Sequence, residues 1–167
     1  RQKGAAARAA HQAVREAFAA GLRTRDPRAY DKLLADFRAA TAAALPDIRL
    51  DRLADGETGT VGRAIAFLAA DPYFFRSGYL KTALLRRLKQ TKLSGEQKAA
   101  LAALILERVT MARRSNRRDY GRLAAAIDWP PLDRELAALL DNDDDGIRGR
   151  ALEMLEQILS ARDMPGA

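Results

Sequence analysis

Cysteine is absent from the 167 residues, and histidine occurs once, at His11. The first absence excludes disulfides, thiolate zinc sites and cysteine nucleophiles together, and it fits a reducing compartment, so the expected location is cytoplasmic. A metal centre needs several converging ligands, so the lone His11 on an alanine-rich segment is read as a solvated side chain; no metal ligand and no cofactor are expected. Aromatics make up 6% of the chain and β-branched residues are scarce, which leaves little material for strands. No apolar run approaches the roughly 18 residues of a membrane span, because the best candidate, AIAFLAADPYFF, is cut by Asp71 and Pro72.

What is present favours helix. Hydrophobic residues make up 48% of the chain and lean on alanine, the strongest helix former, so the fold class is read as all-α and the length as one compact domain. The chain opens on Arg1, and its basic start RQKGAAARAAHQAVR is read as a surface helix rather than a transit peptide, because the pattern continues through Glu16 and Phe18. Asp26-Pro27 and Asp71-Pro72 each offer an acidic N-cap followed by proline at the first helical position. Ser94 with Gln97 forms a capping box before KAALAALILERV. These signals predict helices near 4–23, 27–44, 61–70, 72–90, 95–113, 116–127, 132–140 and 145–161. They suggest an N-terminal helical pair over 1–45, a loop or linker over 46–62 and helical hairpins over 63–167. Gly56, Gly59 and Gly62 in the linker do not make a phosphate loop, since Arg63 follows where a lysine and hydroxyl residue are needed and no strand precedes.

The stretch DNDDDGIRGRALEMLEQIL, residues 141–159, admits two readings. Asp141, Asp143, Asp145 and Gly146 match the first, third, fifth and sixth positions of an EF-hand-type calcium loop. The twelfth position is Leu152, with Glu153 one place late, so a helical turn of about 100° per residue aims the glutamate away from the ion. The favoured reading is a helix start: carboxylates at Asp143, Asp144 and Asp145 meet the free N–H groups, and Ile147, Ala151, Leu155 and Ile158 form the apolar stripe.

The run from Pro131 to Leu159, with ELAALL, the acidic turn, Ile147-Arg148, Ala151, Leu155 and Ile158, resembles a HEAT repeat, and LAADPYFFRSGYLKTALLRRL, residues 68–88, is a weaker echo. The resemblance implies a short right-handed α-solenoid of antiparallel helical hairpins, each burying its stripe against its neighbours. An irregular helical bundle is the alternative. Some HEAT-like proteins act on damaged DNA through aspartate and aromatic residues, and Asp128-Trp129 is the pair here that would serve; Pro130 and Pro131 after it point instead to a helix end.

Charge is segregated. Residues 76–122 hold 13 basic against 3 acidic residues, a net +10, whereas residues 123–167 hold 4 against 10, a net −6. The candidate basic face comprises Lys81, Arg86, Arg87, Lys89 and Lys92, then Arg113, Arg114, Arg117, Arg118 and Arg122. Leu80, Leu84 and Leu88 mark the inward side of the first helix, which sends Arg86, Arg87 and Lys89 outward. Arg114, Arg118 and Arg122 fall at i, i+4 and i+8, a self-repelling row that an anion would relieve. A second candidate surface is the aromatic patch Tyr73, Phe74, Phe75, Arg76 and Tyr79, whose three consecutive rings span too wide an arc to face one core.

These features lead to a non-enzymatic interaction module that binds an acidic protein segment or assembles with other subunits. The alternative is nucleic-acid binding through the arginine-rich face, with DNA or RNA backbone as ligand. A HEAT-like DNA-repair enzyme ranks third. Head-to-tail self-association, basic middle to acidic end, also follows from the charge pattern.

Overall fold

The computed structural model describes residues 2–46, 48–72, 77–111 and 117–163, and among them every regular element is helical. The chain divides into two compact units, Arg1–Asp47 with Ala70–Leu80, and Ile48–Ala69 with Lys81–Ala167. No described helix is long and apolar enough to cross a membrane.

In the first unit α1 (Gln2–Ala19) packs on α3 (Pro27–Ala44), with the single turn α2 (Leu22–Arg25) between them. Gly21 ends α1 at φ +72, a left-handed backbone that glycine adopts without a Cβ clash. This is why the expected helix over 4–23 breaks at residue 19. Asp26 starts α3 as expected: its carboxylate accepts from the Ala29 N–H at 3.1 Å, and Pro27 occupies the first helical position. Rings zip the pair antiparallel, His11 on Phe37 at 5.3 Å between centroids and Phe18 on Tyr30 at 6.5 Å. His11 is therefore a half-buried stacking partner, not a solvated side chain.

The second unit holds the main core, with Leu53, Leu68, Leu101, Ile105, Leu123, Ile127, Leu136 and Ile158 all fully buried. Its helices are α4 (Leu50–Ala54), α5 (Thr58–Ala70), the body of α6 (Ser77–Leu88), α7 (Gly95–Thr110), α8 (Arg117–Ile127), α9 (Pro130–Ala138) and α10 (Asp145–Asp163), with a 3-10 turn at Leu139–Asp141. The capping box at α7 forms as the sequence predicts: Ser94 Oγ accepts from the Gln97 N–H at 3.3 Å, and Gln97 Oε1 accepts from the Ser94 N–H at 2.9 Å. Burial then recurs at Leu101, Leu104, Ile105 and Arg108, the i, i+3, i+4, i+7 spacing of one helical face.

α10 packs on α7, α8 and α9, and α7 packs on both α8 and α9. Directions follow from cross-contacts. Arg162 at the end of α10 reaches Asp133 at the start of α9, 2.8 Å away, so these two helices are antiparallel. Arg117 pairs with Glu153 at 2.9 Å, and four residues on, Gly121 lies against Gln157, so α8 and α10 run the same way.

Three expectations change. Residues 46–62, read as a loop, carry α4 and the start of α5: Leu53 is fully buried, Thr91 Oγ1 lies 3.0 Å from the Leu53 carbonyl oxygen, and Gly56, at φ +76, makes a left-handed turn. Gly59 and Gly62 lie inside α5, where the neighbouring Val61 and Thr60 are fully buried; burial outweighs the weak helix propensity of glycine. Pro72 is not helical and Asp71 sits at φ +41, so Asp71-Pro72 does not begin a helix as Asp26-Pro27 does. On α10 the stripe is Ala151, Met154 and Ile158, with Ile147 and Leu155 half-exposed.

Candidate functional site

α6 positions the first basic cluster. Leu84, Leu85 and Leu88 are fully buried on one side of the helix, which leaves Arg86 and Arg87 exposed on the other. Lys89 and Lys92 follow, both exposed, on either side of the buried Thr91 before α7. On α8, Tyr120, Leu123, Ala124 and Ile127 face inward, and Arg118 and Arg122, four residues apart, are exposed. Among the described residues these six cations form no ion pair and no side-chain hydrogen bond. Three other arginines of the same unit are paired, Arg117 by Glu153, Arg162 by Asp128 and Asp133, and Arg148 by Asp145, whereas the exposed Arg52 and Arg134 also form no ion pair among the described residues. Charges that the fold needs are paired, and those on the α6 and α8 surfaces are left to solvent.

Two members of the expected face leave it. Lys81 is 5% exposed, on the buried side of α6, because it precedes Leu84 and Leu85 by one helical turn. Arg117 is half-buried and its guanidinium serves the α8–α10 contact. Arg113 and Arg114 lie outside the described residues, as do Tyr73, Phe74, Phe75 and Arg76 of the aromatic patch. Tyr79 is 82% exposed, the most exposed large apolar side chain described.

Comparison with protein-family models, with curated proteins and with solved structures finds no match.

The acidic turn works as a helix cap. Asp144 Oδ1 accepts from the N–H groups of Gly146 (2.7 Å) and Ile147 (3.1 Å), Asn142 Oδ1 accepts from the Asp144 N–H (3.0 Å), and Asp145 is paired with Arg148. Asp141 and Asp143 remain exposed and, among the described residues, without a side-chain partner. No three His, Cys, Asp or Glu side chains converge as a metal-ion cluster among the described residues.

Sequence reasoning missed a buried polar junction. Arg108, 7% exposed, donates to the Leu68 carbonyl oxygen at 2.6 Å, in the last turn of α5, and stacks 5.5 Å from the Tyr120 ring. Arg150 donates from Nε to the Val109 carbonyl oxygen at 2.5 Å, satisfying the end of α7. Both line a cavity of about 20 Å³ with Arg117, Tyr120, Glu153 and Gln157, room for about one water molecule and too little for a substrate. The signal was in the chain: Arg108 falls on the Leu101, Leu104, Ile105 stripe, where an arginine must be satisfied internally. Asp128, the carboxylate that a repair-enzyme reading would use, turns the chain at φ +42 and lies 3.2 Å from Arg162.

Elsewhere, Arg49 donates two hydrogen bonds to Asp51, at 3.1 and 2.7 Å, and this pairing, with the Arg52 N–H, holds the Asp51 carboxyl at about 2, below its ordinary 3.8.

Proposed function

We propose that the chain is a non-enzymatic interaction module that binds an acidic protein segment through the cationic surface of Arg86, Arg87, Lys89, Lys92, Arg118 and Arg122. The observation that carries this reading is the set of six exposed cations that form no ion pair among the described residues, while Arg117, Arg148 and Arg162 of the same unit are each held by a carboxylate. Guanidinium forks suit planar carboxylates, and an anionic ligand relieves the mutual repulsion of the row on α8.

The finer architecture we propose is a short right-handed solenoid of the HEAT kind. Its support is the packing of α7 on α9 together with the common direction of α8 and α10, the arrangement expected when successive hairpins stack first helix on first and second helix on second. In this reading α6, α8 and α10 are second helices, and they line the groove that receives the ligand.

A second reading, binding of a DNA or RNA backbone, draws on the pI of about 10.1 and the predominance of arginine among the exposed cations. Fluorescence anisotropy separates the two. A glutamate-rich peptide binds the wild type at low salt, and the fourfold reversal R86E/R87E/K89E/K92E abolishes that binding. A nucleic acid that competes it off at substoichiometric concentration decides for the backbone instead, and equal binding of peptide to both proteins removes the reading altogether.

A further inference from the structure

We propose that the acidic occupant of the cationic surface is the exposed Asp141–Asp145 turn of a second copy of the chain, so that copies associate head to tail. This rests on the reading of α6 and α8 as a docking surface and names its partner. Three observations converge on it. First, the opposite charges belong to one unit of one chain: residues 81–122 hold 12 basic against 3 acidic residues, a net +9, and precede the net −6 of residues 123–167. Second, both sides lack an ion pair among the described residues. Arg86, Arg87, Lys89, Lys92, Arg118 and Arg122 have no ion pair among the described residues, and neither do Asp141 and Asp143, although the same unit forms the pairs Arg117–Glu153 and Arg162–Asp133. Third, the turn is presented in a fixed shape. Asp144 caps α10 through the Gly146 and Ile147 N–H groups, Arg148 donates to the Asn142 carbonyl oxygen at 2.6 Å, and together these hold Asp141 and Asp143 outward. A prefixed acidic turn loses little conformational freedom on docking, which favours it over a flexible acidic segment.

The contact is heterologous, since the patch and the turn are different surfaces of each copy. Each molecule therefore offers one donor surface and one acceptor surface, and association leads to rings or open chains rather than a closed symmetric pair. Its attraction is between exposed charges, so it weakens as the screening length falls from about 30 Å at 0.01 M salt to about 8 Å at 0.15 M.

Multi-angle light scattering of the full chain across protein concentration tests this. The expected result is a weight-average mass that climbs with concentration at 0.01 M salt and returns to the monomer at high salt, with association at least about tenfold weaker at 0.15 M. R86E/R87E and, separately, D141K/D143K each keep the monomer mass at low salt. Both double substitutions lie on exposed side chains that neither cap nor pack, and unchanged far-UV circular dichroism certifies the fold. The decisive variant combines R86E/R87E/K89E/K92E with D141K/D143K: the six-residue surface then carries four glutamates against two arginines, the two outward positions of the turn are lysines, and association returns. A mass independent of salt in the wild type, or a combined variant that stays monomeric, overturns the proposal. A glutamate-rich peptide titrated onto D141K/D143K tells this failure from that of the underlying reading. Binding of the peptide without any wild-type association means that the surface takes an acidic segment but not its own turn, and no binding removes both.

Discussion

Gly121 offers the sharpest test of the packing that fixes α8 beside α10. It sits in the middle of α8, and a Cβ built on it meets Gln157 at 2.9 Å from both Cβ and Cδ, closer than unbonded carbon atoms approach. The Gln157 amide can swing away, but its Cβ is fixed to the α10 backbone, so Gly121→Ala forces the two helices apart. Overpacking of this kind costs about 1–3 kcal/mol, while alanine in place of a mid-helix glycine returns about 1 kcal/mol. The expected net effect is a loss of about 1 kcal/mol, a fall in melting temperature of roughly 2–4 °C for a chain of this length. Gly149→Ala is the internal control: on α10 nothing lies within 4 Å of its added Cβ, so the same substitution stabilises by about 1 kcal/mol. Thermal and urea melts followed by circular dichroism read both. The double variant G121A/Q157A recovers part of the loss, because it removes the Cδ contact and leaves the Cβ contact. If Gly121→Ala stabilises as much as Gly149→Ala, the close approach of α8 and α10 is wrong, and with it the common direction of the two helices.

Other expectations follow from single contacts. Ser94→Ala removes the capping box of α7 and costs about 1 kcal/mol in urea denaturation, whereas Asp143→Ala, which caps nothing, leaves the midpoint unchanged. Asp144→Ala opens the start of α10 and costs about 1 kcal/mol by the same measurement. The Asp51 carboxyl titrates near 2 by NMR, and Arg49→Met returns it toward 3.8. Because the folded value is depressed, the stabilisation from that pair is present above about 3.8 and is lost as the pH falls through about 2.

The parts of the fold that local chemistry decides were legible in the chain. Asp26 before Pro27 and Ser94 with Gln97 place two helix starts correctly, because a cap needs only a side chain and the N–H groups three residues on. The period of Leu84 and Leu88 likewise turned Arg86 and Arg87 outward. Long-range burial decided the rest. α4 forms in a glycine-rich stretch because Leu53 is buried and its carbonyl oxygen meets Thr91, 38 residues away. Lys81 was counted as surface because a lysine near an arginine cluster looks solvated, yet its place on the helix one turn before Leu84 and Leu85 puts it inside. Asp71-Pro72 copies the letters of a cap without its conformation, as φ +41 at Asp71 is not the extended backbone that an N-cap residue uses. Of the candidate surface, Arg86, Arg87, Lys89, Lys92, Arg118 and Arg122 keep the exposure read from the sequence, while Arg117 turns inward to Glu153 because its carboxylate partner lies on a helix that follows much later.

The central claim is that the α6 and α8 cations form the surface that receives a negatively charged protein segment. Amide chemical-shift mapping during titration with a glutamate-rich peptide at low salt measures it residue by residue. The account predicts that saturating shifts gather on Arg86, Arg87, Lys89, Lys92, Arg118 and Arg122 and vanish at high salt. Shifts that centre on α1 and α3, or no shifts at any peptide concentration, contradict it.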